Sequence, residues 1–258
     1  MGEATATSLL REAQKTRDSV IDHWKHQRRA GALDKGVDDL RGRPMKRFKR
    51  YGAEEVRKLN ALQAAYFDTH VHVFDPPLPE GVPERLREIV RAARITSSDS
   101  VLDIGTGTGI LIPLIEEFTP ARIYGNDLSE AMLDSVQGQY PSVIRKLGDV
   151  SDLALPNQSI DVAFINACYS NIIDKHRAFT NIQRMFRPGG RLIISHPLGR
   201  SFVEVLKQNV PFPLDDFPSE ESEARALFAP YDFRVSLFVD EEALYILRLE
   251  CPSVRVTR

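Results

Sequence analysis

The strongest chemical signal in the 258-residue sequence is a glycine-rich run that follows an apolar stretch. Residues 101–110 read Val-Leu-Asp-Ile-Gly-Thr-Gly-Thr-Gly-Ile, which predicts a buried strand, a tight turn and then a helix. Glycine lets the backbone turn sharply and approach a ligand closely, and a helix N-terminus binds phosphate-like groups. The run therefore favours a nucleotide-like cofactor over a bare structural corner. Because Ile110 stands where the dinucleotide motif has its third glycine, a dehydrogenase is disfavoured.

Acidic residues follow the second and third predicted strands. Asp127 ends the stretch Ile-Tyr-Gly-Asn-Asp, where a carboxylate can accept both hydroxyls of a ribose. The alternative is that Asp127 caps the next helix, a role that Ser129 can fill equally well. Asp149 follows a short third strand, where it can face an adenine amino group. Val150 and Met132 would line the adenine ring or belong to the core.

A pair of histidines suggests a different chemistry. Residues 67–76 read Phe-Asp-Thr-His-Val-His-Val-Phe-Asp-Pro, and alternate residues of a strand share one face. His70 and His72 would then bind a divalent metal, as in metal-dependent amidohydrolases. That barrel needs about 250 residues and more ligands at later strand ends, whereas only His176 and His196 follow. The amidohydrolase stays an alternative, and no metal site is predicted. A further alternative is that His70 or His72 faces the cofactor pocket, but we favour surface or packed positions for both histidines.

The elements that must position these residues alternate along the chain, which is typical of a parallel sheet with crossover helices. Strands are predicted over 100–104, 122–126, 142–145, 160–166, 191–196, 233–239 and 243–250. Helices are predicted over 83–93, 110–118, 129–137 and 175–186, with irregular, partly helical chain over 200–230. The short acidic turn before the last strand implies an antiparallel hairpin at a sheet edge.

The first sixty residues form a basic segment with 15 Lys and Arg against 9 Asp and Glu, although the whole chain has a net charge of -2. Helical spacing predicts an amphipathic helix over 8–29 and a second helix over 53–66. Between them, residues 41–50 hold six basic side chains and no acid. This run predicts either a phosphate-binding arm or a solvated or acid-covering linker, and we prefer the linker.

Composition excludes several classes of protein. With 42% hydrophobic and 27% charged residues, the chain is typical of a soluble globular protein with a full core. No stretch approaches the roughly 18 consecutive apolar residues of a membrane span, and no secretory signal is recognisable. The two cysteines, Cys168 and Cys251, are too few for a disulfide framework and are expected to pack. We therefore expect a cytoplasmic protein without a membrane partner.

Taken together, the motifs resemble those of the class I S-adenosylmethionine-dependent methyltransferases over about residues 67–250. The resemblance depends on Asp103-Ile-Gly-Thr-Gly-Thr-Gly109, Asp127 with Leu128-Ser-Glu-Ala-Met-Leu133, Gly148-Asp149, Ile160-Asp-Val-Ala-Phe164 and Phe186-Arg-Pro-Gly-Gly-Arg-Leu192. It implies an α/β fold with a doubly wound, Rossmann-like sheet of seven strands, the last antiparallel, plus an N-terminal helical extension. We expect a basic extension or lid over 1–66 and a methyltransferase domain over 67–258, in which 198–229 cover the substrate.

The resemblance also implies S-adenosylmethionine as the cofactor and assigns residues to it by position. Residues 105–107 would meet its methionine part, Asp127 the ribose and Asp149 the adenine. Asn166 and Ala167 would flank the reacting methyl group. The full predicted set is Asp103, Gly105, Thr106, Gly107, Gly109, Asp127, Leu128, Met132, Asp149, Val150, Asn166 and Ala167.

His196 and Tyr169 are the predicted catalytic residues. A sulfonium already activates its methyl group, so the enzyme must mainly align the acceptor and exclude water. A general base helps if the acceptor is a hydroxyl, thiol or ring nitrogen, and His196 ends the fifth strand, where sheet ligands are expected. Packing before Pro197 is the alternative for His196. Tyr169 follows the fourth strand and would touch substrate or decorate a loop.

The methyl acceptor is predicted to be a small organic molecule. Residues 166–169 read Asn-Ala-Cys-Tyr, not the Asn/Asp-Pro-Pro-Tyr that many amino-methylating enzymes of nucleic acid and protein carry. The basic run at 41–50 keeps RNA as an alternative acceptor. A protein that binds the cofactor without catalysis is a further alternative, and the oligomeric state is not predicted.

Overall fold

The computed structural model describes residues 48–74 and 77–253. Within them, seven strands form one sheet in the order β3-β2-β1-β4-β5-β7-β6. The strands are β1 (Ser100–Ile104), β2 (Arg122–Asp127), β3 (Ile144–Leu147), β4 (Ile160–Asn166), β5 (Phe186–His196), β6 (Arg234–Glu241) and β7 (Leu244–Glu250). The first five are parallel, and β7 runs antiparallel to β5 and β6. The predicted sheet and its edge hairpin are thus confirmed.

Helices cover both faces of the sheet. They are α1 (Ala53–Thr69), α2 (Val82–Ala92), α3 (Ile112–Glu116), α4 (Glu130–Gln139), α5 (Lys175–Met185), α6 (Phe202–Lys207) and α7 (Glu221–Phe228). Side chains of β4 alternate between two cores: Ala163 and Ile165 join one, and Val162 and Phe164 join the other. A strand buried on both faces favours apolar residues at successive positions, which explains the apolar run Val162–Ile165. None of the described helices is long and apolar enough to cross a membrane.

Several predicted boundaries are wrong by a few residues. The helix predicted over 110–118 is limited to 112–116, because positive φ at Gly109 keeps the preceding turn out of the helix. Strand β3 begins two residues later than predicted, after a turn in which the Val143 amide donates to the Tyr140 carbonyl. Strand β5 begins earlier, at Phe186, with a register shift against β4. The predicted helix over 8–29 and residues 41–47 of the basic run lie outside the described residues.

The structure contradicts the strand that the histidine pair requires. Helix α1 runs on to Thr69, past the proposed domain boundary at residue 66, and a short 3-10 turn covers Val71–Phe74. The His70 ring stacks on Tyr66 with ring centroids 4.0 Å apart, and His72 is exposed. Among the described residues, no three His, Cys, Asp or Glu side chains are grouped to hold a metal ion. Because the histidines lie at a helix end and in a 3-10 turn, and because the sheet is open and not a barrel, the metal-dependent amidohydrolase alternative is wrong.

A buried lysine attaches the segment 198–229 to the rest of the fold. The Lys175 side chain, 1% exposed, donates to the Ile172 carbonyl and to Asp215 Oδ2, each at 2.7 Å. Its ammonium also lies 4.9 Å from the centre of the Tyr169 ring. Burial lowers the pKa of Lys175, and the Asp215 carboxylate opposes this shift. The ion pair thus joins α5 to the chain between α6 and α7.

Replacing Lys175 by methionine is expected to lower the free energy of unfolding by roughly 1–3 kcal/mol. The Ile172 carbonyl loses its donor, whereas Asp215, with its side chain 44% exposed, can be solvated. Urea denaturation measures the change. The matched control is Lys207→Met, because Lys207 pairs with Glu204 and Asp216 at the surface, where ion pairs contribute little. Equal stability of the Lys175 variant and wild type would contradict this role.

Candidate active site

A cavity of about 350 Å³ lies at the carboxyl ends of the central strands. Strand order reverses between β1 and β4, and open α/β sheets bind ligands at such a switch point. The volume is within the range of small-molecule sites. Twelve predicted site residues line it: Asp103, Gly105, Thr106, Gly107, Asp127, Leu128, Met132, Asp149, Val150, Asn166, Ala167 and His196. Gly109 and Tyr169 do not line it.

The three glycines of the loop after β1 have different surroundings. All have positive φ, at 65° for Gly105, 56° for Gly107 and 88° for Gly109. A Cβ atom on Gly105 would lie 2.3 Å from Cys168 Sγ, and one on Gly109 would lie 3.0 Å from the Tyr140 ring. A Cβ on Gly107 would meet nothing within 4 Å. The outer glycines are therefore needed for close packing, whereas Gly107 borders the open space of the cavity.

Asp127 fixes the glycine loop and keeps hydrogen-bonding capacity toward the cavity. The Gly107 amide donates to Oδ2 at 2.9 Å, and the Ser129 amide donates to Oδ1 at 3.0 Å. Ser129 caps α4 by accepting from the Met132 amide, which resolves the alternative in which Asp127 served only as a cap. Burial raises the pKa of Asp127, and these backbone donors oppose the shift. The Leu128 amide is a third backbone donor to this carboxylate. Two carboxylate oxygens offer about four acceptor positions in all, so Asp127 keeps capacity for a ligand hydroxyl group.

Asp103 is a buried carboxylate directly below the loop. Its Oδ2 accepts from Thr106 Oγ1 at 2.7 Å. Burial raises the pKa of Asp103 to about 7; the Thr106 hydrogen bond opposes this shift, and the charge of Asp127 adds to it. A cation bound beside Asp103 would favour its ionised form. This end of the cavity therefore suits a ligand with hydroxyl groups and a positive charge.

Helix α1 covers the cavity through three polar contacts. Asn60 Nδ2 donates to Asp149 Oδ2 at 2.6 Å, and the buried Gln63 donates to the Asn171 carbonyl at 2.9 Å. Asp68 accepts from the Ser129 hydroxyl at 2.6 Å. Sequence reasoning missed Asn60 and Gln63, although their three-residue spacing on a predicted helix places both on one face.

The surroundings of His196 differ from those of a general base. Its Nδ1 accepts from the Leu198 amide at 3.2 Å, and its ring lies beside Phe202 and Phe217. Burial lowers the pKa of His196 to about 4. Near neutral pH the imidazole is therefore uncharged. A general base would use its unprotonated nitrogen, Nδ1, but this nitrogen already accepts the hydrogen bond from the Leu198 amide.

Two residues after β4 have positions that differ from expectation. Tyr169 is 1% exposed and packs against Phe179 and Phe217, because the 3-10 turn over 169–171 directs it into the core. Because Tyr169 is buried in the core and does not line the cavity, this position does not support its predicted contact with substrate. Cys168, expected only to pack, also lines the cavity beside Gly105. Burial raises the pKa of its thiol to about 12, so the thiol stays protonated.

The sheet order and the cavity define a Rossmann-like α/β protein whose cavity suits a nucleotide-type cofactor. A family model described as a methyltransferase domain matches residues 102–194. An O-methyltransferase of Aspergillus nomiae is 31% identical over 187 residues, which are 66% of this chain and 82% of that protein. The ubiquinone/menaquinone biosynthesis C-methyltransferase of Geobacter sulfurreducens is 28% identical, over 62% of this chain and 75% of that protein.

Solved structures agree at the level of the fold. A chain of the complex between the Haloferax volcanii Trm112 methyltransferase activator and a methyltransferase superposes with a TM-score of 0.59. The match has 15% sequence identity and covers 76% of this chain and 98% of that one.

Against four other curated relatives, the chain spans only 30%, 43%, 54% and 51% of their lengths.

The chain belongs to the S-adenosylmethionine-dependent methyltransferase family, and S-adenosylmethionine is its cofactor. The residues present fit this group. Asp127 offers free lone pairs for ribose hydroxyls, Asp103 offers a carboxylate for a cationic group, and Gly107 leaves open space beside them.

Proposed function

We propose that this protein transfers a methyl group from S-adenosylmethionine to a small organic acceptor. The observation that carries the proposal is a cavity in which carboxylates at the ends of β1 and β2 adjoin a second region at the ends of β4 and β5, with α1 covering both. A helix over the site limits the access of bulk water, and the two adjoining regions would place an acceptor beside the cofactor, as methyl transfer requires.

The chain's own residues would hold the cofactor at the β1–β3 end. Asp127 would accept the ribose hydroxyls, Asp149 would face the adenine, and Asp103 would hold the amino-acid ammonium near residues 105–107. When bound, S-adenosylmethionine supplies a sulfonium that activates its methyl group for displacement. The remaining task of the protein is to orient the acceptor, and residues at the ends of β4 and β5, including Asn166, lie where this would occur.

A small acceptor is favoured over RNA by the lining of the cavity. No Lys or Arg lines it within the described ranges, so a phosphate backbone would find no counter-charge there. Of the basic run, Lys49 and Arg50 are exposed, while Phe48 packs against Phe179 and Phe228. The relatives methylate oxygen in one case and carbon in the other, so the atom methylated here is left open.

The test is transfer of radiolabelled methyl from S-adenosylmethionine to separate pools of phenols, quinols, carboxylic acids and amines, with total RNA as a parallel sample. We expect label in one of the small-molecule pools, and much less label at a limiting cofactor concentration when Asp127 is replaced by asparagine, because the variant loses a charged ribose acceptor. Label in RNA alone would overturn the small-acceptor proposal. Binding of the cofactor with no transfer to any pool would favour the alternative of a protein that binds without catalysis.

A further inference from the structure

The cavity has two chemically different regions. The cofactor region, at the ends of β1 to β3, contains Asp103, Asp127 and Asp149. The acceptor region, which we define as the part walled by the ends of β4 and β5 and by α6 with the chain after it, is apolar. Its main side chains are Ile172, Leu198, Phe202, Leu206, Val210 and Leu214. Among the described residues that line it, none is Lys, Arg, Asp or Glu.

This distribution of charge selects against ionised acceptors. A carboxylate or phosphate in the acceptor region would be removed from water with no Lys or Arg side chain among the described lining residues to pair with it, and such burial is unfavourable. The three carboxylates of the cofactor region would also repel it. A neutral, largely apolar molecule loses nothing comparable and gains from contact with the apolar wall.

The polar side chains that line this region are uncharged, and two of them, at the ends of β4 and β5, offer hydrogen-bond donors. A third, Asn209, donates its Nδ2 to the Val205 carbonyl and keeps Oδ1 as an acceptor. His196 Nδ1 accepts from the Leu198 amide, and a neutral imidazole carries its proton on the other nitrogen. Nε2–H is therefore a donor, and no described residue pairs with it. On the neighbouring strand, Asn166 Oδ1 accepts from the Ser195 hydroxyl at 3.0 Å, which leaves the N–H groups of that amide for the cavity.

We infer that the acceptor is a neutral, largely apolar molecule with a carbonyl, ether or hydroxyl oxygen, and that His196 Nε2–H donates a hydrogen bond to that oxygen. His196 then positions the acceptor and does not remove a proton from it. This inference rests on the proposed methyltransferase function and narrows its substrate class. The low pKa of His196 supports it, because the imidazole stays neutral and keeps this proton across physiological pH.

The experiment measures binding of three probes to protein saturated with S-adenosylhomocysteine: a naphthol, its methyl ether and the matching naphthoate. The naphthol can donate and accept a hydrogen bond, the ether can only accept, and the naphthoate is an anion. We expect the two neutral probes to bind and the naphthoate to bind at least about tenfold more weakly. In His196→Leu, both neutral probes should lose roughly five- to tenfold in affinity, since both need the N–H donor. His196→Gln, which keeps an N–H, should recover most of that loss.

Other outcomes would overturn the inference. Naphthoate binding as tight as naphthol binding would contradict a neutral acceptor. Loss of affinity for the naphthol alone, with the ether unaffected, would show that the histidine accepts a proton or hydrogen bond. Binding of S-adenosylhomocysteine is measured first in every variant, because it distinguishes failure of this inference from failure of the proposed methyltransferase function. If it binds and neither neutral probe does, this inference alone fails, whereas failure of wild-type protein to bind it defeats the methyltransferase proposal.

Discussion

Replacement of Gly107 by asparagine is expected to lower the affinity for S-adenosylhomocysteine at least about 30-fold while the protein stays folded. Asparagine tolerates positive φ, so the backbone cost is small, on the order of 1 kcal/mol. A side chain at residue 107 starts in open space and would occupy the cavity, because nothing lies within 4 Å of its Cβ position. Calorimetric titration and thermal unfolding measure the two effects separately.

The matched control for this prediction is Gly189→Asn. Gly189 also has positive φ, at 80°, but lies exposed in β5, away from the cavity. It should show the same small change in stability with unchanged affinity for S-adenosylhomocysteine. Wild-type affinity in Gly107→Asn would contradict the placement of the cofactor beside the loop.

Gly105→Ala, by contrast, should impair folding, because the added Cβ would clash with Cys168. Cys168→Gly in the same chain should recover part of the lost stability.

Replacement of Asp103 by asparagine should stabilise the ligand-free protein and weaken cofactor binding. Because burial raises the pKa of Asp103 to about 7, its ionisation opposes folding as pH rises from about 4 to about 7. At about pH 8 the variant should gain roughly 1–3 kcal/mol in free energy of unfolding, with little gain below about pH 3, where Asp103 is protonated in both the folded and the unfolded state. The affinity for S-adenosylhomocysteine should fall about tenfold, because an ammonium loses its carboxylate partner.

Urea denaturation of wild type and Asp103→Asn across this pH range checks the stability effect, and titration at about pH 8 checks the affinity. The affinity of the wild-type protein should itself rise as pH increases through about 7, and that of the variant should not. Asp161→Asn is a suitable control, since Asp161 accepts a hydrogen bond from the Ser100 amide at the end of the sheet opposite to the cavity. A variant that is less stable than wild type at the higher pH would contradict a desolvated charge at residue 103.

The cofactor region was more predictable from sequence than the acceptor region, for a physical reason. The positions of Gly107 and Asp127 follow from a strand, a turn and a helix that are adjacent in the chain, and periodicity reveals such local elements. The contacts of Asn60 and Gln63 join residues 89 and 108 positions apart. Spacing within one sequence carries no information about such distant partners. The sequence therefore predicts a lid over 1–66 but not the contacts through which α1 covers the cavity.

His196 and Tyr169 show a second limit. Both follow strands whose carboxyl ends meet at the cavity, but only His196 lines it. The role of His196 depends on which ring nitrogen accepts the Leu198 amide, and the orientation of Tyr169 depends on a single 3-10 turn. Residue type and strand position do not determine these local geometries. The prediction of a general base at His196 is accordingly replaced by that of a hydrogen-bond donor.

The most direct test of the central claim is calorimetric titration of purified protein with S-adenosylhomocysteine, beside Asp127→Asn and Asp134→Asn. Asp134 is an exposed carboxylate on α4 that pairs with Arg145 and does not line the cavity. We predict micromolar or tighter binding to wild type, the same binding to Asp134→Asn, and a loss of about 30-fold or more in Asp127→Asn, because one charged acceptor of the ribose hydroxyls is removed. Equal binding to all three proteins, or no binding to wild type, would contradict the assignment of this cavity to S-adenosylmethionine.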